Sequence, residues 1–203
     1  MIKIFDDVLP KYYADHIEHD ALHMLQYFWN PKTVMNVKHN DPNVYDFGQL
    51  TCPLLNIESK QGFKDSGYLD FLKPMMLIIE ECLNKDQVFI EQYCRIKYNL
   101  MWNVEPKYRE MYNTPHPDND NITRDNTYSM IYYVNDSDGD TIFFDEFFDG
   151  DLYMKKSTIK QRVTPKKNRL VLFESNRYHC SSNPVDSNVR SVINFVVRAN
   201  YGK

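Results

Sequence analysis

The hydrophobic pattern of this chain changes period once, near Gln87, and that change limits the folds open to it. Before it, apolar residues recur every three or four positions. Tyr13, Ile17, Ala21, Met24 and Phe28 make one stripe, and Leu69, Leu72, Met76, Ile79 and Leu83 make another. Such stripes predict amphipathic helices over 10–28 and over Tyr68–Leu83, with Ser66 near the second N-cap and Pro74 marking a kink or a late start. After Gln87 the period is two. Val88–Gln92, Cys94–Trp102, Thr127–Val134, Thr141–Phe144, Thr158–Val163, Arg169–Phe173 and Val189–Val197 are strand candidates. Many short strands behind a helical start imply an α+β chain whose helices pack on a β-sandwich or jelly roll.

A chain of 203 residues, 42% of them hydrophobic, has the length and core material for one domain. Residues 1–86 would be helical support and loops, and 87–203 the jelly-roll core. Between the helices, 30–65 is rich in Asn, Asp, Pro and Lys, and Asn40-Asp-Pro-Asn43 signals a turn. This stretch reads as a long polar connection able to cover a site.

Several function classes recede on composition. The net charge is -4 and the isoelectric point is near 5.9, so a nucleic-acid partner, whose phosphates call for clustered Lys and Arg, is not expected. No apolar run reaches the length of a membrane span, and Met1-Ile-Lys-Ile-Phe-Asp-Asp lacks the apolar stretch of a signal peptide. The four cysteines, Cys52, Cys82, Cys94 and Cys180, show no Cys-x-x-Cys spacing. A soluble cytoplasmic protein with reduced thiols is the expectation. Oligomeric state is not legible.

The strand-rich half carries the chemistry. His116 and Asp118 flank Pro117. In a strand, residues i and i+2 face the same side, so the two can converge while the proline points away. A proline is tolerated at a strand end, which is where the pair should sit. His179 follows 63 residues later, just past the apolar run Leu170–Phe173. Two neutral imidazoles and one carboxylate on one side of an ion make the facial triad of non-haem Fe(II) oxygenases and leave further positions open. The same donors also suit zinc. Arg190 comes 11 residues after His179 and shares a strand face with Val192 and Asn194. A buried guanidinium requires a carboxylate partner, and the distal carboxylate of 2-oxoglutarate is a fitting one. A bare His-x-Asp is weak by itself; the later histidine and arginine give it weight.

Two competing sites are weaker. His16, His19 and His23 share one face of the first helix, but that face points away from the apolar stripe, toward solvent. Cys180 adjoins His179, but neighbours in a strand face opposite ways. Asp120, two residues beyond Asp118, could serve only if the strand slipped by a full pleat.

The order of these residues resembles the Fe(II)/2-oxoglutarate-dependent dioxygenases, and within them the prolyl 4-hydroxylase-like branch, over roughly residues 93–198. The resemblance implies a double-stranded β-helix (a cupin-like jelly roll) with N-terminal supporting helices. It implies iron on His116, Asp118 and His179, and 2-oxoglutarate on Arg190. Ile131-Tyr-Tyr-Val-Asn135 is similar to the strand whose tyrosine reaches the co-substrate carboxylate, here Tyr133. Arg95-Ile-Lys-Tyr98-Asn is similar to the preceding strand, which implies that Tyr98 lines the pocket. Asn194 falls where the family often has a small polar residue. Gly139-Asp140-Thr141 is similar to a Gly-Glu-Thr turn, although the usual second glycine is absent. The implied activity is C–H hydroxylation with Fe(II), 2-oxoglutarate and dioxygen, with ascorbate as an optional reductant. The presence of Asp118 favours hydroxylation over halogenation.

By the same resemblance the substrate is a peptidyl residue, proline first, with a free amino acid or other small molecule second. The short form resembles the phage-encoded members, which implies a place in a host cytoplasm. A zinc enzyme or a non-catalytic cupin-like binding module stays open as an alternative. Asn103–Asn113 and Asp118–Asn126 bracket the first two ligands and should form the rim of the site.

Overall fold

The two longest strands of the protein, Val88–Trp102 and Val189–Tyr201, lie side by side and antiparallel, and every other element is arranged around them. The second of these reads Val-Arg-Ser-Val-Ile-Asn-Phe-Val-Val-Arg-Ala-Asn-Tyr, rich in β-branched and aromatic residues. Its side chains are buried almost without interruption, which requires that both faces of the sheet be covered.

The computed structural model describes residues 1–34, 38–39, 41–57, 63–64, 66–119, 126–151, 153–154 and 158–202. In chain order the elements are β1 (Ile2–Phe5), α1 (Lys11–His23), β2 (Phe28–Asn30), β3 (Lys38–His39), β4 (Gln49–Asn56), β5 (Phe63–Lys64) and α2 (Ser66–Lys85). Then come β6 (Val88–Trp102), β7 (Thr127–Tyr133), β8 (Thr141–Phe147), β9 (Tyr153–Met154), β10 (Ile159–Val163), β11 (Arg169–Glu174), β12 (Arg177–Ser181) and β13 (Val189–Tyr201). The large sheet runs β1-β11-β7-β13-β6-β4-β2, with β5 on β4, and the small sheet runs β10-β8-β12. An antiparallel bridge between His116 and His179 extends the small sheet beyond β12. Two facing antiparallel sheets joined in this way make a double-stranded β-helix with helices on its outer face.

The core accordingly has two layers. Ile17, Leu72, Ile79 and Leu83 from the helices pack with Leu54, Ile96, Tyr98 and Phe195 on the outer face of the large sheet. Ile131, Tyr133, Val171, Phe173 and Val192 meet Phe143 and Val163 of the small sheet inside. Full burial of each such side chain stabilises by about 1.5–3 kcal/mol. The outer layer mixes residues from both halves of the chain, so the helices share their core with the sheet. No described helix is long and apolar enough to cross a membrane.

Three readings of the sequence change here. The first helix ends at His23, and Phe28 instead pairs with Thr51 across β2 and β4. The stripe kept its spacing past His23, but Met24 and Phe28 are exposed, so no burial rewards continuing the helix. The connection over 30–65 contains β4, an eight-residue strand with Cys52, Leu54 and Leu55 buried. Its Pro53 sits where the register with β6 shifts, the one kind of place a strand interior tolerates proline. Finally, Pro74 lies inside α2 on an exposed side, and the helix runs through it.

Candidate active site

His116 and His179 exchange both backbone hydrogen bonds, at 2.9 and 3.0 Å. A pair joined in this way places its two side chains on the same face. Their rings lie 4.7 Å apart at 45°. Asp118 follows not within the strand but on a bend just past it, with its amide donating to Ser175 O at 2.8 Å. One ligand atom from each of His116, Asp118 and His179 lies within 4.8 Å of the others. The Asp118 Oδ2 is 3.5 Å from His179 Nε2.

The backbone fixes which imidazole nitrogen is free. His116 Nδ1 lies 3.0 Å from Thr114 O, and His179 Nδ1 lies 3.1 Å from Arg177 O. A carbonyl can only accept, so each Nδ1 carries the hydrogen and each Nε2 keeps a lone pair toward the cluster. Burial pushes the His116 imidazole down to about 3, and repulsion from His179 acts in the same direction. His179 is likewise lowered by burial, with Asp118 opposing. Burial alone would raise the Asp118 carboxyl, but Arg95 and the two histidines hold it well below the usual carboxylate range. The set is therefore two neutral imidazoles and one carboxylate. Arg95 Nη2 and Asn194 Nδ2 grip the two Asp118 oxygens, the latter at 3.1 Å.

These shifts set an acid lability. A buried histidine whose pKa is depressed in the folded state stabilises fully above its unfolded value of about 6.5 and loses that contribution as pH falls toward its folded value. For His116 the folded value is about 3. Asp118 adds a second loss below its own unfolded value, because its folded value is lower still. Metal-free protein should melt at progressively lower temperature from pH 6.5 downward. His116→Gln should flatten the upper part of that profile in a thermal melt series.

Arg190 stands at the other end of the same cavity. Its Nε donates to Gly139 O at 2.7 Å and its Nη2 to Thr141 Oγ1 at 2.8 Å. Both partners are neutral, and among the described residues no carboxylate pairs with this buried guanidinium. Burial lowers its pKa, with Tyr133 and Asp140 opposing. Tyr133 OH also donates to Thr141 Oγ1, at 2.7 Å. A hydroxyl that accepts twice still has its own hydrogen to donate, and Thr141 lines the cavity.

The cavity opens to solvent. His116, Asp118, His179, Arg190 and Asn194 all line it, with Ile131 and Val192 as an apolar wall. Two positions fall elsewhere than expected. Tyr98 does not line the pocket. On β6 it alternates with Lys97, Asn99 and Met101, which do, and it packs with Ile96 in the layer under the helices. Tyr133 is set one residue back, so it bears on the cavity through Thr141 and through its ring, 5.8 Å from the Arg190 guanidinium. Thr141, Lys97, Asn99 and Arg95 were not singled out as site residues. The strand parity of β6 is the signal for three of them.

The other candidates can be placed as well. Cys180 lines the cavity but contributes no atom to the three-residue cluster. His19 and His23 approach to 5.2 Å between rings on the exposed face of α1, and His16 stacks edge-on with Tyr12 at 4.5 Å. Of the rim, Pro106–Tyr108 forms a 3-10 turn, and Arg109 grips Asp186 with both terminal nitrogens at 3.1 and 2.9 Å. Tyr108 packs with Tyr45 and Phe47 at 5.3 and 5.0 Å. Asp120 and 121–125 lie outside the described residues.

Gly139, two residues before Thr141, has no room for a side chain. A Cβ there would stand 2.7 Å from Ser182 O, 2.9 Å from Pro184 N and 3.0 Å from Arg190 Cδ. Backbone atoms cannot yield as a flexible side chain does. Gly139→Ala should therefore cost about 1–3 kcal/mol by overpacking. At roughly 2–4 °C per kcal/mol for a chain of this size, a melting scan would register the loss. The same variant should weaken any ligand of Arg190.

The sequence profile of the 2OG-Fe(II) oxygenase superfamily matches residues 106–198, a span that contains His116, Asp118, His179 and Arg190. No curated protein matches the chain by sequence. Among solved structures, the fold is similar to a prolyl hydroxylase from Trichoplax adhaerens in complex with a hypoxia inducible factor oxygen degradation domain peptide fragment. The TM-score is 0.63 at 14% identity, over 97% of this chain and 83% of that one. A viral collagen prolyl hydroxylase from Paramecium Bursaria Chlorella virus-1, in a 2OG complex, is similar with a TM-score of 0.53 at 14% identity, over 98% and 96%. SnoN, a non-heme alpha ketoglutarate dependent epimerase from nogalamycin biosynthesis, is similar with a TM-score of 0.60 at 10% identity, over 100% and 80%. At these identities the likeness is one of fold.

Proposed function

We propose that this chain is an Fe(II)- and 2-oxoglutarate-dependent dioxygenase that hydroxylates a C–H bond, a reading supported by the match of residues 106–198 to the 2OG-Fe(II) oxygenase superfamily. One observation carries the reading. A buried arginine without a carboxylate partner among the described residues faces the same cavity as a neutral-imidazole pair and a carboxylate. A zinc hydrolase has no need of that arginine.

The residues fit the implied groups. His116 and His179 each offer a free Nε2, and Asp118 offers a hard anionic oxygen, the donor set of a facial triad. Arg190 and the Thr141 hydroxyl would take the distal carboxylate of 2-oxoglutarate, which would satisfy the unpaired guanidinium. When bound, iron with 2-oxoglutarate and dioxygen supplies the oxidising power for an unactivated C–H bond, with succinate and carbon dioxide as co-products. The chain does the rest. Asn194 and Arg95 hold the Asp118 carboxylate in one orientation. Thr114 O and Arg177 O hold each imidazole in the ligating tautomer. Ile131 and Val192 exclude water from the wall between the two ends. Tyr133 and Gly139 O position Arg190 without touching a ligand.

Residues 87–203 would be the catalytic core of one domain, and 1–86 its support. For the substrate, the fold likeness to prolyl hydroxylases favours a peptidyl residue, proline first. The likeness to SnoN keeps a small molecule as the second reading. Mass spectrometry of succinate made from 2-oxoglutarate and Fe(II) tests the activity, run with proline-containing peptides in one arm and free amino acids in another. Succinate that rises with one arm over the substrate-free control identifies the class. Absence of succinate in every arm, with metal and co-substrate bound, would count against an oxygenase.

A further inference from the structure

Among the described residues, Lys97 is the one cation of the cavity wall that this reading leaves without a task. It lies on β6, directly across from Asn194 of β13. Asn194 donates to Asp118, so Lys97 stands at the triad end of the cavity. Arg190 lies across from Met101 in the same ladder, four residues further along. At about 3.3 Å per residue the two positions are roughly 13 Å apart along the strands. Four C–C bonds of about 1.5 Å confine 2-oxoglutarate to roughly 6 Å between its terminal carbons. A co-substrate anchored on Arg190 therefore has its distal carboxylate far from Lys97.

The charge balance agrees. Arg95 is paired with Asp118. By the proposed reading, Fe(II) and doubly ionised 2-oxoglutarate cancel one another. Arg190 and Lys97 remain as uncancelled positive charges in the loaded cavity. No ion pair is formed by Lys97 within 4.0 Å among the described residues; burial disfavours its charge, and the Asp118 carboxylate, already held by Arg95, only partly offsets this. Nearby, Asn99 Oδ1 and Asn194 Oδ1 are buried acceptors with no donor, so the same wall can also receive N–H or O–H groups.

We propose that Lys97 is a specificity residue that takes a carboxylate of the primary substrate next to the carbon to be oxidised. The inference rests on the oxygenase reading and deepens it. The substrate is an acid: a free amino or organic acid, or a peptide presenting an acidic side chain. A blocked, neutral peptidyl proline would leave Lys97 unmatched. The orphaned Asn99 and Asn194 oxygens fit an ammonium or hydroxyl borne by the same molecule, which an amino acid supplies.

The test is equilibrium binding, so it does not depend on turnover. Protein loaded with Fe(II) and saturating 2-oxoglutarate under nitrogen is titrated with the free L-amino acids and their amides. A second arm uses blocked dipeptides bearing Asp or Glu against those bearing Asn or Gln. Wild type should bind the carboxylate member of a pair roughly tenfold or more tightly, the scale of a charge-assisted hydrogen bond. Lys97→Met should erase that preference, and Lys97→Arg should keep most of it. The affinity for 2-oxoglutarate should stay within about twofold in Lys97→Met, since the distal carboxylate is anchored on Arg190, away from Lys97. Whichever arm shows the preference identifies the source of the carboxylate. Absence of any carboxylate preference in wild type, or its survival in Lys97→Met, overturns the proposal. So does a tenfold loss of 2-oxoglutarate affinity in Lys97→Met, which would assign the lysine to the co-substrate. Failure of wild type to bind 2-oxoglutarate would instead overturn the underlying oxygenase reading.

Discussion

Asp118→Ala should abolish succinate formation under saturating Fe(II) and 2-oxoglutarate, and should weaken metal binding by more than about 100-fold. Loss of a mere partner of a metal ligand costs 10–100-fold, so loss of the ligand itself should exceed that range. Among the described residues, Asp118 supplies the only carboxylate in the cluster with His116 and His179. It also offsets part of the charge of a divalent ion, which neutral histidines cannot do. Asp118→Asn keeps the shape and the contact with Asn194 but loses the charge, and should fail in the same assay. The fold should survive both changes. Arg95 is 28% exposed at its side chain, so water can solvate the guanidinium when its partner is removed. Asp120→Ala is the control and should behave like wild type. Activity retained in Asp118→Ala and lost in Asp120→Ala would show that the wrong carboxylate had been named.

Arg190→Lys should lower the affinity for 2-oxoglutarate at least about tenfold while metal binding persists. Truncating one side of a buried, hydrogen-bonded charge pair costs about 2–5 kcal/mol, and a lysine recovers only part of it. The reason is geometric. The guanidinium donates at once to Gly139 O and Thr141 Oγ1, and so is locked in plane before any ligand arrives. An ammonium has no fork to be locked in this way. It would leave the Gly139 carbonyl or Thr141 short of its donor. Titration with 2-oxoglutarate at fixed metal is the measurement, and unchanged affinity would remove Arg190 from the co-substrate site.

Much of the candidate site was legible because its first two residues are local in sequence and the others follow in a recognisable order. A His-x-Asp pair with a later histidine needs no knowledge of the sheets, and the two-residue period of β13 places Arg190, Val192 and Asn194 on one face. Tyr98 was assigned to the pocket from the resemblance alone, and the strand places it on the other face for a physical reason. β6 carries apolar side chains in the helix layer and long polar ones in the cavity, and a strand buried on both faces has no solvent side to orient it. Had the polar members Arg95, Lys97 and Asn99 been assigned to the polar cavity, Tyr98 would have gone to the opposite face. The strands β4 and β12 were missed because their burial comes from distant partners. Pro53 disguised the first, and His179 with its polar neighbours disguised the second. Tyr133 was placed on the correct face, but its reach depends on Thr141 standing in front of it, which sequence spacing does not encode.

By the proposed function, one cavity binds a metal through His116, Asp118 and His179 and 2-oxoglutarate through Arg190. Calorimetric titration of 2-oxoglutarate under nitrogen tests it most directly, with four samples: wild type with Fe(II), wild type without metal, His179→Ala with Fe(II), and Arg190→Lys with Fe(II). The account predicts one binding site in the first sample and much weaker binding in each of the other three. Equal affinity with and without metal, or in His179→Ala, would contradict it.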